Sequence, residues 1–316
     1  MPEPEIPSRP CLSQAFVLGA GLGTRLKQLT RALPKPLIPV AGKPLITRAF
    51  DHLLNSGINR IIVNTHHQAD AYQRVFPANA YGHATLAFRH EPDLLETGGG
   101  IKNVEDLLGD APFLVYNGDV LTNLPLDPAI ARHFETGNEV TLVLRSHGGP
   151  LQVAFDPGSG RVLDIGFRLG RAPGTHLFTG IYLLAPSFLR RLKREKRSVI
   201  PTFLEMIGQR AALGAIELDG GDWWDLGTRE QYLAVHQTLR EADPQACWID
   251  PSAQIDPTAR LTGATYVGPG AQIGAHAQLH DCILWEGTHI APESELNRCI
   301  VTASQSVSGR HQDADF

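Results

Sequence analysis

No stretch of the chain approaches the roughly 20 continuous apolar residues that a membrane-spanning helix needs. The N-terminus, MPEPEIPSRPCLSQ, carries acid and proline where a secretory signal would carry basic and then apolar residues. Residues 1–13 read instead as a disordered leader. Positive charge is scarce too: 28 Lys and Arg stand against 33 Asp and Glu, a formal net charge of −5. That balance argues against nucleic-acid and membrane-surface partners, which need clustered cations. The densest basic run, RRLKREKR from Arg190 to Arg197, reads as the solvated face of a helix. The four cysteines, Cys11, Cys247, Cys282 and Cys299, show no paired metal-ligand spacing. A reducing cytoplasm is the simplest compartment.

Two well-known phosphate-binding signatures are missing as well. The stretch LGAGLGTRLKQLTRALPKP, Leu18 to Pro36, is rich in glycine. A dinucleotide fingerprint starting at Gly19 or Gly21 would end on Thr24 or Leu26, and nowhere is Gly-Lys followed at once by Ser or Thr.

What is present is alternation. AFVLGAG, RIIVNT, ATLAFRH and PFLVYNGD read as strands, and KPLITRAFDHLLNSG, ADAYQRVF and GIKNVEDLLG as the helices between them. Pro44 suits a first helical turn and Gly57 a helix stop. This order predicts a parallel sheet covered by helices, with ligands outside the carboxyl ends of the strands. GAG, ETGGG and NGD all fall at or just beyond those ends. LQVAFDPGSGRVLDIGF and HLFTGIYLLAP predict mixed or antiparallel strands closing one side of the cleft, and GTREQYLAVHQTLREA a last helix.

After Trp248 the period changes. Ile249, Ile255, Leu261, Val267, Ile273 and Leu279 follow at intervals of six, and Trp285, Ile290 and Leu296 continue the series with one five-residue unit. Such repeats stack as a parallel β-helix with aliphatic residues inward. The segment 249–309 looks like the short left-handed β-helix of hexapeptide-repeat proteins, about three coils long. Cys282 and Cys299 fall about one coil apart and read as buried, reduced thiols. The module is expected to serve homo-oligomerisation or regulation, because solenoid ends must be capped or paired.

The opening loop has a physical reading of its own. A glycine-rich turn after a strand lets backbone N–H groups approach a triphosphate. Arg25 offers a planar fork of donors to phosphoryl oxygens, and Lys35, between Pro34 and Pro36, a point charge on a stiffened segment. Asp119, closing FLVYNGD, and Asp225, in WWDLGT, are two carboxylates of the kind Mg²⁺ needs when phosphates supply its other ligands.

The whole stretch, VLGAGLGTRLKQLTRALPKPLIPVAGKPLI, resembles the signature of sugar-1-phosphate nucleotidylyltransferases, with Gln28 where proline is usual and Gly19 where alanine is usual. The match continues through ETGGG, NGD and WWDLGT and covers roughly residues 14–240. The resemblance implies an α/β fold, with a Rossmann-like, mostly parallel sheet in a nucleotidyltransferase domain over 14–242. It implies Mg²⁺-dependent joining of a nucleoside triphosphate to a sugar-1-phosphate, with release of pyrophosphate. Arg25 and Lys35 are then catalytic, and Asp119 and Asp225 hold the metal. The nucleotide falls to Leu18, Gly19, Ala20, Gly21, Gly23, Thr24, Glu96, Thr97, Gly98, Asn117 and Gly118, and the sugar to Thr179 and Gly180. Many relatives carry a Glu-Lys-Pro whose lysine grips the sugar phosphate; here DIGFRLGR stands instead, with Arg168 as a substitute candidate. LETGGGIKN with NGDVLTN looks closest to N-acetylmuramate-1-phosphate uridylyltransferases and mannose-1-phosphate guanylyltransferase-like members.

Overall fold

The computed structural model describes residues 12–21, 23–31, 33–244, 248–302 and 306–316. The expected leader, apart from Leu12 and Ser13, lies outside the described residues, as do Cys11 and Cys247. The described chain forms two compact units. One holds the residues up to Gly21 together with Ile46–Trp224, the other Gly23–Leu45 with Asp225–Phe316.

The first unit is built on a ten-stranded sheet. Its order is Val153–Asp156, Arg161–Ile165, Leu213–Glu217, Val140–Arg145, Leu177–Leu184, Phe113–Asn117, Gln14–Leu18, Arg60–Thr65, Ala84–His90 and Ala80–Tyr81. Apart from Arg161–Ile165, Leu177–Leu184 and Ala80–Tyr81, the strands run in one direction. Gln14–Leu18 sits between parallel neighbours and is buried on both faces, so Ala15, Phe16 and Val17 form a continuous apolar run. The antiparallel additions fall where the Gly-rich turn at 157–160 predicts them. Phe16, Ile62, Phe113, Val115, Tyr182, Phe188, Phe203 and Met206 belong to one buried core.

Three sequence expectations need correction here. The KPLITRAFDHLLNSG helix begins at Leu45, one residue after Pro44, because Lys43–Pro44 pairs with Pro39–Val40 as a short hairpin. The third helix spans Glu96–Asn103, so ETGGG is its first turns rather than a loop before it. The basic run is not a helix face: a 3₁₀ turn ends at Arg191 and the chain then bends through Arg194–Lys196. Its backbone lies against the glycines of the Glu96–Asn103 helix, and a helix there would not allow that approach. Among the described residues no helix is long and apolar enough to cross a membrane.

The second unit contains the β-helix. Its coils stack as three parallel sheets, in register at Ile255, Ile273, Ile290 and Val307, at Leu261, Leu279, Leu296 and His311, and at Val267, Leu284 and Val301. All but His311 are aliphatic; they form its core, with Ile255 and Leu261 partly buried against it. Strands continue to Gln312, past the expected end at 309. One repeat position was misread: Leu284, not Trp285, pairs with Val267 and fills the interior. The five-residue unit therefore falls one repeat earlier, between Leu279 and Leu284, and the Trp285 indole leaves the interior. Cys282 and Cys299 are buried free thiols on successive coils. The Arg229–Ala242 helix also belongs to this unit, started by a capping box in which Thr228 and Gln231 bond each other's backbone N–H.

Candidate active site

In the first unit, Leu18 closes the central strand in register with Asn64 and Asn117. Gly19 donates its N–H to Asn64 Oδ1 at 2.8 Å, and the buried Tyr72 hydroxyl donates to the Gly19 carbonyl at 2.9 Å. Asn64 Nδ2 donates in turn to Glu91 Oε1 at 2.8 Å, whose Oε2 accepts the Leu95 N–H at 3.0 Å. Glu91 is fully buried, so this network locks three strand ends together. Sequence reasoning missed Asn64, Tyr72 and Glu91. The available signal was a polar residue closing each apolar strand, as in RIIVNT and ATLAFRHE.

The glycines divide by purpose. A Cβ on Gly19 would lie 2.7 Å from the Asn64 carbonyl oxygen, and one on Gly118 2.7 Å from that of Leu18. These two are glycine because strand ends approach each other. Gly21 is different: it is exposed, and no described residue comes within 4 Å of its missing Cβ. Its backbone is open to a ligand. Ala20 beside it is buried.

Glu96, exposed and at φ 59°, opens the next helix. A Cβ on Gly98 would stand 2.9 Å from the Arg197 carbonyl oxygen, and one on Gly99 2.1 Å from that of Glu195. The Gly98 and Gly99 N–H groups donate to the Arg197 carbonyl at 2.8 and 3.1 Å, and Thr97 Oγ1 accepts the Val199 N–H at 2.8 Å. Close backbone packing by itself requires glycine at 98 and 99.

Gly180 has φ 79°, and a Cβ there would fall 2.5 Å from Asn117 Nδ2. Thr179 is buried; its hydroxyl donates to the Val143 carbonyl at 2.7 Å, and its own carbonyl accepts the Trp223 indole N–H at 2.9 Å. Arg145, also missed, supports this side. Its buried guanidinium donates to the carbonyls of Gly221 at 2.9 Å and Asp219 at 3.3 Å, fixing the segment that leads into Trp223. Arg168 is exposed on a loop that the Asp164 carboxylate shapes by accepting the Leu169 and Arg171 N–H groups. Those bonds hold the Asp164 carboxyl below the usual range against its burial, which acts the other way and is the largest single influence. Asp119 follows Gly118 and is half-buried.

In the second unit, the loop from Gly23 gathers charge. Thr24 opens a 3₁₀ turn, and Gly23, at φ 61°, lies where a Cβ would press on Thr30 and Lys35. Arg25 Nη2 donates to Asp225 Oδ2 at 3.4 Å, and Lys35 Nζ to Asp225 Oδ1 at 3.5 Å. Lys35 is only 5% exposed, whereas the Arg25 side chain is 63% exposed. A Cβ on Gly227 would lie 2.5 Å from the Arg25 guanidinium, so glycine there leaves room for it. Two cations ten residues apart thus share one carboxylate. Cations so placed suit a polyphosphate, which would take over the role Asp225 plays here. Among the described residues no three His, Cys, Asp or Glu side chains cluster as a metal cage.

The nucleotidyl transferase family model matches residues 14–242, and the GMPPB C-terminal domain model matches residues 244–312. Mannose-1-phosphate guanylyltransferase catalytic subunit beta of Danio rerio is 28% identical over 314 residues, covering 93% of this chain and 87% of the relative. Mannose-1-phosphate guanylyltransferase of Mycobacterium tuberculosis is 28% identical over 300 residues, covering 90% and 83%. Among solved structures, HddC from Yersinia pseudotuberculosis complexed with GMP-PN superposes with TM-score 0.62 at 23% identity, over 72% of this chain and all of that one. UDP-glucose pyrophosphorylase from Acinetobacter baumanii does so with TM-score 0.61 at 19% identity, over 74% and 95%. At these identities the two structures speak to the fold.

Proposed function

This chain belongs to the nucleotidyl transferase family and is a sugar-1-phosphate nucleotidyltransferase; from that premise we propose that it joins GTP to mannose-1-phosphate, releasing pyrophosphate. The observation that carries the chemistry is the convergence of Arg25 and Lys35 on Asp225. The choice of base and sugar is supported by relatives named for that reaction along nearly the whole chain, including the C-terminal region.

The nucleophile is a phosphate oxygen of the sugar phosphate, already anionic at neutral pH. It needs no general base, so the protein contributes position and charge. The open backbone at Gly21 admits phosphate. Arg25, with its exposed fork, and Lys35, held buried, offset charge on the triphosphate and on departing pyrophosphate. By the family resemblance, Asp119 and Asp225 are each candidate carboxylates for Mg²⁺, which when bound would supply further charge neutralisation at the phosphates. A bound polyphosphate would draw Arg25 and Lys35 away from Asp225, since its oxygens carry more charge than one carboxylate.

A panel of ATP, GTP, UTP and CTP against the 1-phosphates of mannose, glucose, N-acetylglucosamine and N-acetylmuramate, with and without Mg²⁺, tests this reading by pyrophosphate release. The highest kcat/KM is expected for GTP with mannose-1-phosphate, only with metal. A clear preference for UTP with N-acetylmuramate-1-phosphate would overturn the base and sugar. Turnover without metal would remove the role of Asp119 and Asp225.

A further inference from the structure

The lysine loop is held from the β-helix side by a chain of hydrogen bonds. Lys35 opens a one-turn 3₁₀ segment, Lys35–Leu37, and the chain then enters the Pro39–Val40 and Lys43–Pro44 hairpin. The turn of that hairpin is left-handed at Ala41 (φ 45°) and Gly42 (φ 81°). Two side chains of the Arg229–Ala242 helix grip the first arm and the turn. Tyr232 donates its hydroxyl proton to the Pro39 carbonyl. His236 Nε2 accepts the Ala41 N–H at 3.1 Å. Because Nε2 accepts, the proton of a neutral ring sits on Nδ1, which donates to the Tyr232 carbonyl at 2.7 Å. Both side chains are buried.

The β-helix completes the chain. Trp285, displaced from the interior by the five-residue unit, donates its indole N–H to the Tyr232 hydroxyl at 3.1 Å. That hydroxyl is thereby oriented: its oxygen accepts from Trp285, and its single proton goes to Pro39. Tyr266, on the strand next to Ile283–Leu284, lies 3.5 Å from where a Cβ of Gly42 would stand. The helix is itself fixed to the coils by Arg229, which bonds Asp315 at 2.6 Å, and by Gln237, which bonds Asp281 at 3.0 Å.

We propose that Trp285 and Tyr232 are positioning residues for the phosphate-binding Lys35, so that the β-helix sets the placement of a catalytic cation as well as serving any role in assembly. This rests on the assignment of Lys35 to phosphate. A buried lysine has little freedom to correct a misplaced backbone, and displacements of about 1 Å can cost large factors in turnover.

The test is a double-mutant cycle on the full-length enzyme with its preferred substrate pair. Lys35→Ala alone must lower kcat; if it does not, the assignment of Lys35 itself fails. Tyr232→Phe keeps the ring and removes only the hydroxyl, and it is expected to lower kcat about tenfold. In the Lys35→Ala background the same change should matter less than about twofold, since a residue acting through Lys35 has nothing left to position. Equal losses in both backgrounds overturn the inference, because a purely structural role would cost the same with or without the lysine. Trp285→Phe gives a second route that leaves Tyr232 in place. It should show a loss of the same order and the same dependence on Lys35, and an unchanged kcat in Trp285→Phe would also overturn the inference.

Discussion

Replacing Gly99 by alanine separates two explanations of the ETGGG segment. Helix propensity alone favours the substitution by about 1 kcal/mol, since glycine is the poorer helix former. The structure opposes it. The new Cβ would stand 2.1 Å from the Glu195 carbonyl oxygen and 3.0 Å from the Leu95 Cβ. Because the nearer atom is backbone, relief requires the 195–198 segment to move. Overpacking of this kind costs about 1–3 kcal/mol. The same movement stretches the bonds from Gly98 and Gly99 to the Arg197 carbonyl, each worth about 1 kcal/mol. The net expectation is a loss of about 2–4 kcal/mol, or about 4–16 °C in melting temperature for a unit of this size. Thermal melting followed by tryptophan fluorescence measures it. If glycine were needed instead for nucleotide approach, Gly99→Ala would melt normally and raise KM for the triphosphate. A variant as stable as the parent refutes the packing argument. Gly21→Ala is the counterpart: in open space, it should melt normally and show the raised KM.

Arg25→Ala is expected to lower turnover by more than about tenfold, corresponding to 1.4 kcal/mol of barrier, and unchanged turnover in pyrophosphate release would contradict its role. Asn64→Ala strands the Gly19 N–H and part of the Glu91 carboxylate in a buried site, costing about 2–4 kcal/mol in urea unfolding; a loss under about 1 kcal/mol would mean the network is replaceable. His133 is buried against Thr141, and burial pushes its pKa down from 6.5 to about 4. The unfolded chain then holds more protons below 6.5, so this contribution is complete above that pH and is lost as pH falls toward 4. Urea midpoints for the parent should therefore fall more steeply over that window than those of His133→Asn, and parallel profiles would show that His133 does not titrate on unfolding.

The placement of elements was largely legible because periodicity reports burial directly. RIIVNT and ATLAFRH become strands over the very residues the pattern marks, since each is apolar enough to be buried and short enough to exclude a helix. The glycine-rich ETGGG was harder. Glycine is permissive, so the same letters suit a ligand loop or a helix pressed on a neighbouring backbone, and only the position of Glu195–Ser198 decides. The repeat misled by one residue at Trp285 because leucine and tryptophan are both apolar and adjacent, and only the pairing of Leu284 with Val267 shows which turns inward.

By itself, then, the sequence determined the family and the two architectures, and it marked Arg25, Lys35, Asp119 and Asp225 as candidates, because local pattern and motif spacing are properties of the chain alone. The tertiary structure decided which partners those residues have. That Asp225 holds both cations, that Glu91 and Asn64 lock the strand ends, and that Trp285 reaches the lysine loop through Tyr232 all depend on residues 27 to 200 positions apart meeting in space. No local periodicity encodes such meetings; they follow only when burial of the two cores has fixed where each segment lies.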